Sequence, residues 1–160
     1  MSMLFHSAVL MTNNFESMKT FYTQGLKMKT KDDFGSCIAF DCGLSIWQMD
    51  ANQPLAKAIG RTFHADGNKN LEICFETEDF DADVTSVKSF GLKVIHDIQI
   101  ESWGQKTIRF YDPDGNIIEL GESIPTFVKR MYKEGMRAEE VAEKTGVPIE
   151  QVEQFLVSGF

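Results

Sequence analysis

Residues 110–120 read Phe-Tyr-Asp-Pro-Asp-Gly-Asn-Ile-Ile-Glu-Leu, and they carry the most specific fold signal in the chain. Pro113 fixes φ and Gly115 supplies a left-handed position, which is the chemistry of a tight turn. The runs on either side, Lys106–Tyr111 and Asn116–Leu120, have the length and apolar content of strands. This stretch therefore predicts a strand, a turn and a second strand.

Upstream of this stretch, the order strand, helix and three strands occurs twice. The first set is predicted as strand Leu4–Met11, a helix over 15–22 that Gly25 ends, and strands Leu26–Thr30, Ser36–Asp41 and Leu44–Met49. The second set is predicted as strand Leu71–Thr77, a helix from Glu78 that Gly91 ends, and strands Leu92–Ile100, Lys106–Tyr111 and Asn116–Leu120. Gly-Leu-Lys-Met at 25–28 recurs as Gly-Leu-Lys-Val at 91–94, 66 positions later, so we predict an internal repeat.

The predicted organisation is a first βαβββ module over 1–50, a linker over 51–70 and a second module over 71–124. A helical appendage follows over 125–160. The fold class is α+β, with the two modules forming a curved mixed sheet and three helices appended at the C-terminus.

Composition and charge exclude several classes of protein. Of the 160 residues, 42% are hydrophobic and 25% are charged, which is typical of a globular protein. The net charge of −8 disfavours binding to nucleic acid or to an anionic membrane. No apolar run reaches the ~18 residues that a membrane helix needs. Cys37, Cys42 and Cys74 form no CxxC pair, so we expect a reduced, cytoplasmic setting.

Polar side chains recur at matching strands of the two modules. Each module offers one polar residue from its first strand, His6 or Glu72, and one from its last strand, Gln48 or Glu119. Alternation puts Glu72 and Glu119 on faces away from the apolar residues of their strands, whereas His6 shares a face with Leu10 and Gln48 shares one with Ile46. A twofold axis between the modules would bring these four together at the centre of a curved sheet. Arg109 projects from an adjacent face.

This set of side chains permits two kinds of chemistry. One imidazole and two or three oxygen donors can hold a divalent ion with open positions, and a carboxylate beside it can move a proton. The alternative is a structural ion pair in which Arg109 neutralises Glu72 and Glu119.

A family resemblance rests on three segments. They are Leu-Phe-His-Ser-Ala-Val at 4–9, Phe-Glu-Ser-Met-Lys-Thr-Phe-Tyr at 15–22 followed by Gly25-Leu26, and the stretch 110–120. Together they resemble the vicinal oxygen chelate superfamily of glyoxalases, bleomycin-resistance proteins and extradiol dioxygenases, over residues 4–122.

The resemblance implies a site and an activity. By position, the family's metal ligands fall on His6, Gln48, Glu72 and Glu119, and the ion would be zinc, nickel or manganese. The implied function is a lyase or isomerase acting on a small molecule with neighbouring oxygens, with Glu72 or Glu119 as the base. The alternative is a metal-free, bleomycin-resistance-like binding protein, and a homodimer is expected in either case.

Further residues are expected to line the substrate pocket. They are Trp47, Cys74 and Arg109. Because the neighbouring carboxylates raise the pKa of the Cys74 thiol, this cysteine is not expected to act as a nucleophile.

The tail over 125–160 lies outside the resemblance. Three helices are predicted there, and the spacing of Ala142, Gly146 and Val152 resembles a helix-turn-helix unit. The last helix carries Glu150 and Glu153 but no basic residue, so DNA binding is disfavoured. We expect a packing or dimerisation element instead.

Overall fold

The computed structural model describes residues 3–59, 67 and 70–158. It contains two four-stranded mixed sheets flanked by helices, which confirms the predicted α+β class. The strand orders are β1-β4-β3-β2 and β5-β8-β7-β6, so the second sheet repeats the order of the first. The strands are β1 (Ala8–Thr12), β2 (Thr30–Asp33), β3 (Cys37–Phe40), β4 (Leu44–Gln48), β5 (Glu72–Thr77), β6 (Val94–Ile100), β7 (Lys106–Tyr111) and β8 (Ile117–Glu122).

The helices follow the predicted order, with one addition. They are α1 (Phe15–Thr20), continued by a π-helical turn over Phe21–Gly25, α2 (Pro54–Ile59), α3 (Phe80–Ser89), α4 (Ile124–Lys133), α5 (Ala138–Thr145) and α6 (Ile149–Val157). Within the described residues, none of them has the length and apolar character that a bilayer crossing requires.

The chain divides into two compact units. The first is built from the chain up to Leu71, together with Phe90–Leu92 and Tyr111–Ile117. The second is built from Glu72–Ser89, Lys93–Phe110 and the chain from Ile118 onward.

In the first unit, β1 runs parallel to β4, whereas β3 runs antiparallel to both β4 and β2. Its core contains Leu10, Ile38 and Ile46 from the sheet. Phe15 and Met18 of α1 are buried, as their helical spacing predicts.

Two strands of this unit start later than predicted. β1 begins at Ala8 rather than Leu4, because Ala8 pairs with Leu44, the first residue of its partner strand β4. His6 therefore lies outside the strand. β2 begins at Thr30 rather than Leu26, because the N–H groups of Leu26 and Met28 still donate to carbonyls of the preceding helical turn.

The predicted linker is not entirely a loop. Residues 54–59 form α2, which buries Ala56. Residues 60–66 and 68–69 of that linker lie outside the described part of the chain.

In the second unit, α3 buries Phe80, Val84 and Val87. The sheet buries a set of alternate residues on β7 and β8, namely Ile108, Phe110, Ile118 and Leu120. The residues between them, Arg109 and Glu119, are only half-buried, so the strand alternation holds as predicted.

The three tail helices form a small core of their own within this unit. Its buried residues are Phe127, Val128, Met131, Val141 and Val152. Gly146 ends α5 in the left-handed region, with φ of 73°, and so allows the turn into α6.

Hydrogen bonds and an ion pair tie the tail to the second sheet. The Ser123 N–H donates to the Thr77 carbonyl at 2.8 Å. The Arg130 guanidinium donates to both carboxylate oxygens of Glu122, at 2.8 Å each, and to the Gly104 carbonyl at 2.6 Å. Glu122 is buried, and this bidentate contact, together with the Lys106 N–H at 2.9 Å, satisfies its carboxylate oxygens.

Candidate functional site

Arg109 is the centre of an ionic cluster on one face of the second sheet. It lies on β7 between the buried residues Ile108 and Phe110, so its side chain leaves the core face. The guanidinium Nε donates to Glu72 Oε1 at 2.6 Å, and Nη1 donates to Glu101 Oε1 at 2.8 Å. Nη2 forms an ion pair with Glu119. One cation therefore contacts three carboxylates.

The three carboxylates differ in their access to solvent. The Glu72 side chain is 35% exposed, whereas those of Glu101 and Glu119 are 19% and 12% exposed. Glu72 is therefore the member of the cluster that a dissolved molecule reaches most readily.

His96 completes the cluster from β6, where it pairs across the strands with Arg109. Its Nδ1 lies 2.7 Å from the Asp97 carbonyl, and its Nε2 lies 3.2 Å from Arg109 Nη1. A carbonyl only accepts and a guanidinium only donates, so this geometry requires a neutral ring with the proton on Nδ1.

The pKa values of two carboxyl groups in the cluster, Glu119 and Glu101, shift in opposite directions. Burial raises the pKa of Glu119 above its usual value, and Arg109 offsets part of that effect. Hydrogen bonds from Arg109 and Thr107 lower the pKa of Glu101. For Arg109, burial opposes the charge, but bonds to Glu101 and Glu72 outweigh it and raise the pKa.

Cys74 lies beside two of these carboxylates. One ligand atom each from Glu72, Cys74 and Glu119 falls within 4.8 Å of the others. Burial, Glu119 and Glu72 raise the pKa of the thiol to about 11, in the direction the sequence predicted. Cys74 is therefore protonated at neutral pH and is a poor nucleophile.

The other predicted site residues belong to the first unit. His6 is exposed and precedes β1, with its carbonyl close to Gly43. Gln48 is also exposed and ends β4, where it pairs with Thr12. At ~3.3 Å per residue, the five residues of strand from Gly43 to Gln48 separate the two by roughly 16 Å. Trp47 is half-buried in β4, opposite Met11 and Cys37.

The predicted metal ligands divide between the two units, with His6 and Gln48 in the first and Glu72 and Glu119 in the second, and the set stays a prediction. Arg109 already supplies the cation that the Glu72 and Glu119 carboxylates need. His6 and Gln48 lie at opposite ends of β4 rather than side by side. The ion pair that the sequence offered as the alternative is the arrangement found.

Two members of the cluster, Glu101 and His96, are absent from the predicted site. The cross-strand pairing of His96 with Arg109 could have indicated the histidine. However, the β6–β7 register shifts between His96 and Gln99, so counting along the strands does not find the pair. Glu101 follows β6 and gives no strand signal.

A separate cavity of about 520 Å³ occurs in the same unit. Four acidic and four basic residues line it, among them Glu78, Asp79, Lys106 and Lys129. None of the predicted site residues is in its lining, and the balanced charges favour neither an anion nor a cation.

Comparison with known proteins adds a family and a fold. The profile of the glyoxalase-like domain matches residues 5–125, which is more than half of the chain. No curated protein matches the sequence at a significant level.

Several solved structures resemble the chain. A protein of unknown function from Agrobacterium tumefaciens str. C58 is 32% identical over 78% of this chain and 97% of that one, with a TM-score of 0.67. Lactoylglutathione lyase from Agrobacterium tumefaciens is 22% identical over 73% and 91%, with a TM-score of 0.52. A glyoxalase/bleomycin resistance protein/dioxygenase family enzyme from Burkholderia phytofirmans PsJN is 13% identical over 75% and 98%, with a TM-score of 0.62. The last two similarities show the fold alone.

Proposed function

Because the chain belongs to the glyoxalase-like domain family, within the vicinal oxygen chelate superfamily, we propose that it binds a small organic molecule at the Arg109 cluster without a resident metal ion. The observation that carries this proposal is the guanidinium of Arg109 in contact with Glu72, Glu101 and Glu119. In that contact the side chain of Arg109 neutralises carboxylate charge that a metal ion would otherwise neutralise.

The charge of the cluster indicates the class of ligand. Three carboxylates against one guanidinium leave an excess of two negative charges when all are ionised, and the neutral His96 adds none. We therefore expect a ligand with a positive charge or several N–H donors, such as an amine or a guanidine.

Each residue then has a distinct role. Glu72 is the most exposed carboxylate and accepts from the ligand. If Glu72 turns toward a ligand, Arg109 keeps its bonds to Glu101 and Glu119, so it holds these two carboxylates in position. Glu101 acts as a positioning residue through Arg109.

A thermal-shift and calorimetric titration tests this proposal. The probes are small aliphatic amines and guanidines, each compared with the neutral alcohol and the carboxylate of the same carbon skeleton. We expect selective binding of the cations, which high salt weakens. Glu72→Gln should weaken that binding by about tenfold, the effect of one charge-assisted hydrogen bond.

The control is Glu76→Gln, which removes an exposed carboxylate from the same strand and face. It should change cation binding by less than about twofold, because surface charges contribute little. Equal binding of the cations and their carboxylate counterparts, or equal effects of the two variants, would overturn the proposal.

A metal-dependent lyase or isomerase is the second candidate function. Two observations favour it: the approach of Glu72, Cys74 and Glu119 within 4.8 Å, and the raised pKa of Glu119, which suits a carboxyl that accepts a proton. In that case zinc, nickel or manganese would be held by His6, Gln48, Glu72 and Glu119. The set stays a prediction.

Metal analysis separates the two candidates. The protein is purified without chelator and without nickel affinity resin, and its metal content is measured before and after adding each ion. One equivalent, lost in both His6→Ala and Glu119→Gln, would favour the enzyme; no uptake of any ion would favour the binding protein. The predicted homodimer is tested on the same samples by light scattering.

A further inference from the structure

Arg109 contacts two of the side chains that could hold a metal ion. The guanidinium contacts Glu72 and Glu119, and these are two of the three residues whose ligand atoms converge within 4.8 Å. The third, Cys74, lies on the same face of β5 as Glu72, with its sulfur within 4.8 Å of a carboxylate oxygen of both Glu72 and Glu119.

We infer that Arg109 takes the place of a divalent cation in this chain, and that the Glu72–Cys74–Glu119 group binds such a cation once the guanidinium is removed. This inference rests on the metal-free binding proposed above, and it extends that proposal by naming the residue that excludes the metal.

Electrostatics makes the two cations mutually exclusive. A divalent ion shared by Glu72 and Glu119 would lie within a few ångströms of the guanidinium, which contacts both carboxylates. Without Arg109, the remaining Glu72, Glu101 and Glu119 would carry three negative charges with no cation among them. Such a group either takes up protons or binds a cation.

Cys74 determines which cations are suitable. Two carboxylate oxygens and one sulfur suit zinc, cobalt or cadmium, with water as the fourth ligand, rather than magnesium or calcium. On binding, the Cys74 S–H bond is broken, sulfur bonds to the metal and the proton leaves to solvent, so uptake strengthens as pH rises.

Cobalt(II) titration of purified protein tests the inference. Arg109→Met removes the charge but keeps a flexible apolar stem of similar reach. We expect it to bind one equivalent of cobalt at least about 100-fold more tightly than the wild type, because a repelling charge a few ångströms away is gone. A thiolate-to-cobalt charge-transfer band should appear in the near ultraviolet.

Two matched variants identify the cause. Arg109→Lys keeps a cation at the same position and should bind cobalt as weakly as the wild type. The double variant Arg109→Met with Cys74→Ala should lose the charge-transfer band. Arg109→Gln provides a second charge-free variant in case the methionine variant does not fold.

The outcomes separate cleanly. Gain of one equivalent in either charge-free variant, or recovery of its circular dichroism on adding cobalt, supports the inference. Tight cobalt binding by the wild type, or no gain in a folded charge-free variant, overturns it, as does failure of both variants to fold with cobalt. Failure of the proposed function is detected independently, by the amine titrations of the wild type and Glu72→Gln.

Discussion

The Nε of Arg109 donates to Glu72 Oε1 at 2.6 Å across the second sheet, from β7 to β5, although β8 lies between these strands. The same guanidinium contacts Glu119 on β8 and, with His96, a residue of β6. The cluster therefore contains a residue from each strand of one sheet. Substitutions within that sheet can measure how much its contacts contribute to the free energy of unfolding.

Arg109→Met should destabilise the protein by about 1–2 kcal/mol at neutral pH, a discounted value for a pair that solvent partly screens. The physical reason is the repulsion among Glu72, Glu101 and Glu119 once their cation is gone. Urea unfolding at pH 7 measures the loss.

Acid provides the internal control for that prediction. As the pH falls and the carboxyl groups protonate, the difference between variant and wild type should shrink. Arg137→Met, at an exposed i,i+3 pair with Glu140, should have no comparable effect. A loss for Arg109→Met that is independent of pH would show that packing rather than charge is responsible.

Glu101→Gln and Glu119→Gln should affect stability with opposite pH dependence. The Glu101 pKa is lowered in the folded protein, so its contribution is present above the unfolded value of 4.5 and is lost as the pH falls through the folded value. Glu101→Gln should therefore cost about 1 kcal/mol at pH 7 and little in acid.

The Glu119 pKa is raised, so its contribution is present below 4.5 and is lost as the pH rises through the folded value. Glu119→Gln should leave stability at pH 7 unchanged or slightly higher. Urea unfolding of both variants from acid to neutral pH checks this contrast, which parallel curves would contradict.

Gly104→Ala should destabilise the second unit by about 1–3 kcal/mol through overpacking and backbone strain. A Cβ at Gly104, where φ is +100°, would lie 2.6 Å from the Met131 sulfur of α4. Thermal unfolding monitored by circular dichroism measures the effect.

Gly135→Ala is the matched control, since φ there is +103° but nothing lies within 4 Å of an added Cβ. It should show the backbone cost alone. The difference between the two glycine variants therefore measures the contact between the 101–105 turn and the tail. Identical losses would mean that this contact has no packing value.

Tyr22→Phe should cost about 1 kcal/mol in the first unit, because it removes the hydrogen bond from the buried hydroxyl to Asp112 Oδ2 at 2.9 Å. Asp112 keeps the donors of Asp114 and Asn116, so the turn should persist. Tyr132→Phe, at a side chain 44% exposed, provides the comparison and should be nearly neutral in urea unfolding.

The architecture could be predicted because it depends on patterns within single strands and helices, which the sequence shows directly. Alternation along β5, β7 and β8 correctly separated Glu72, Arg109 and Glu119 from the core. The Phe15 and Met18 spacing likewise predicted a buried helix face. Neither step requires knowledge of which strands pair.

The rest of the site depends on pairing, which is not local. The partnership of Arg109 with His96 follows from the β6–β7 register, and that register contains an irregularity. The late start of β1 follows from where its partner β4 begins, so His6 leaves the strand to which the sequence assigned it. The contact of Arg109 with Glu72 likewise spans from β7 to β5 across β8, so neither strand alone indicates it.

The contacts among Glu72, Glu119, Arg109 and His96 also stabilise the native register of the strands in this sheet. On β7 and β8, which bury alternate apolar residues, sliding by a single residue would bury a charged group and expose an apolar one, while breaking a bond to a neighbouring strand. A misaligned sheet would therefore lose both apolar burial and a side-chain contact, so the side chains of this cluster also favour the native register during folding.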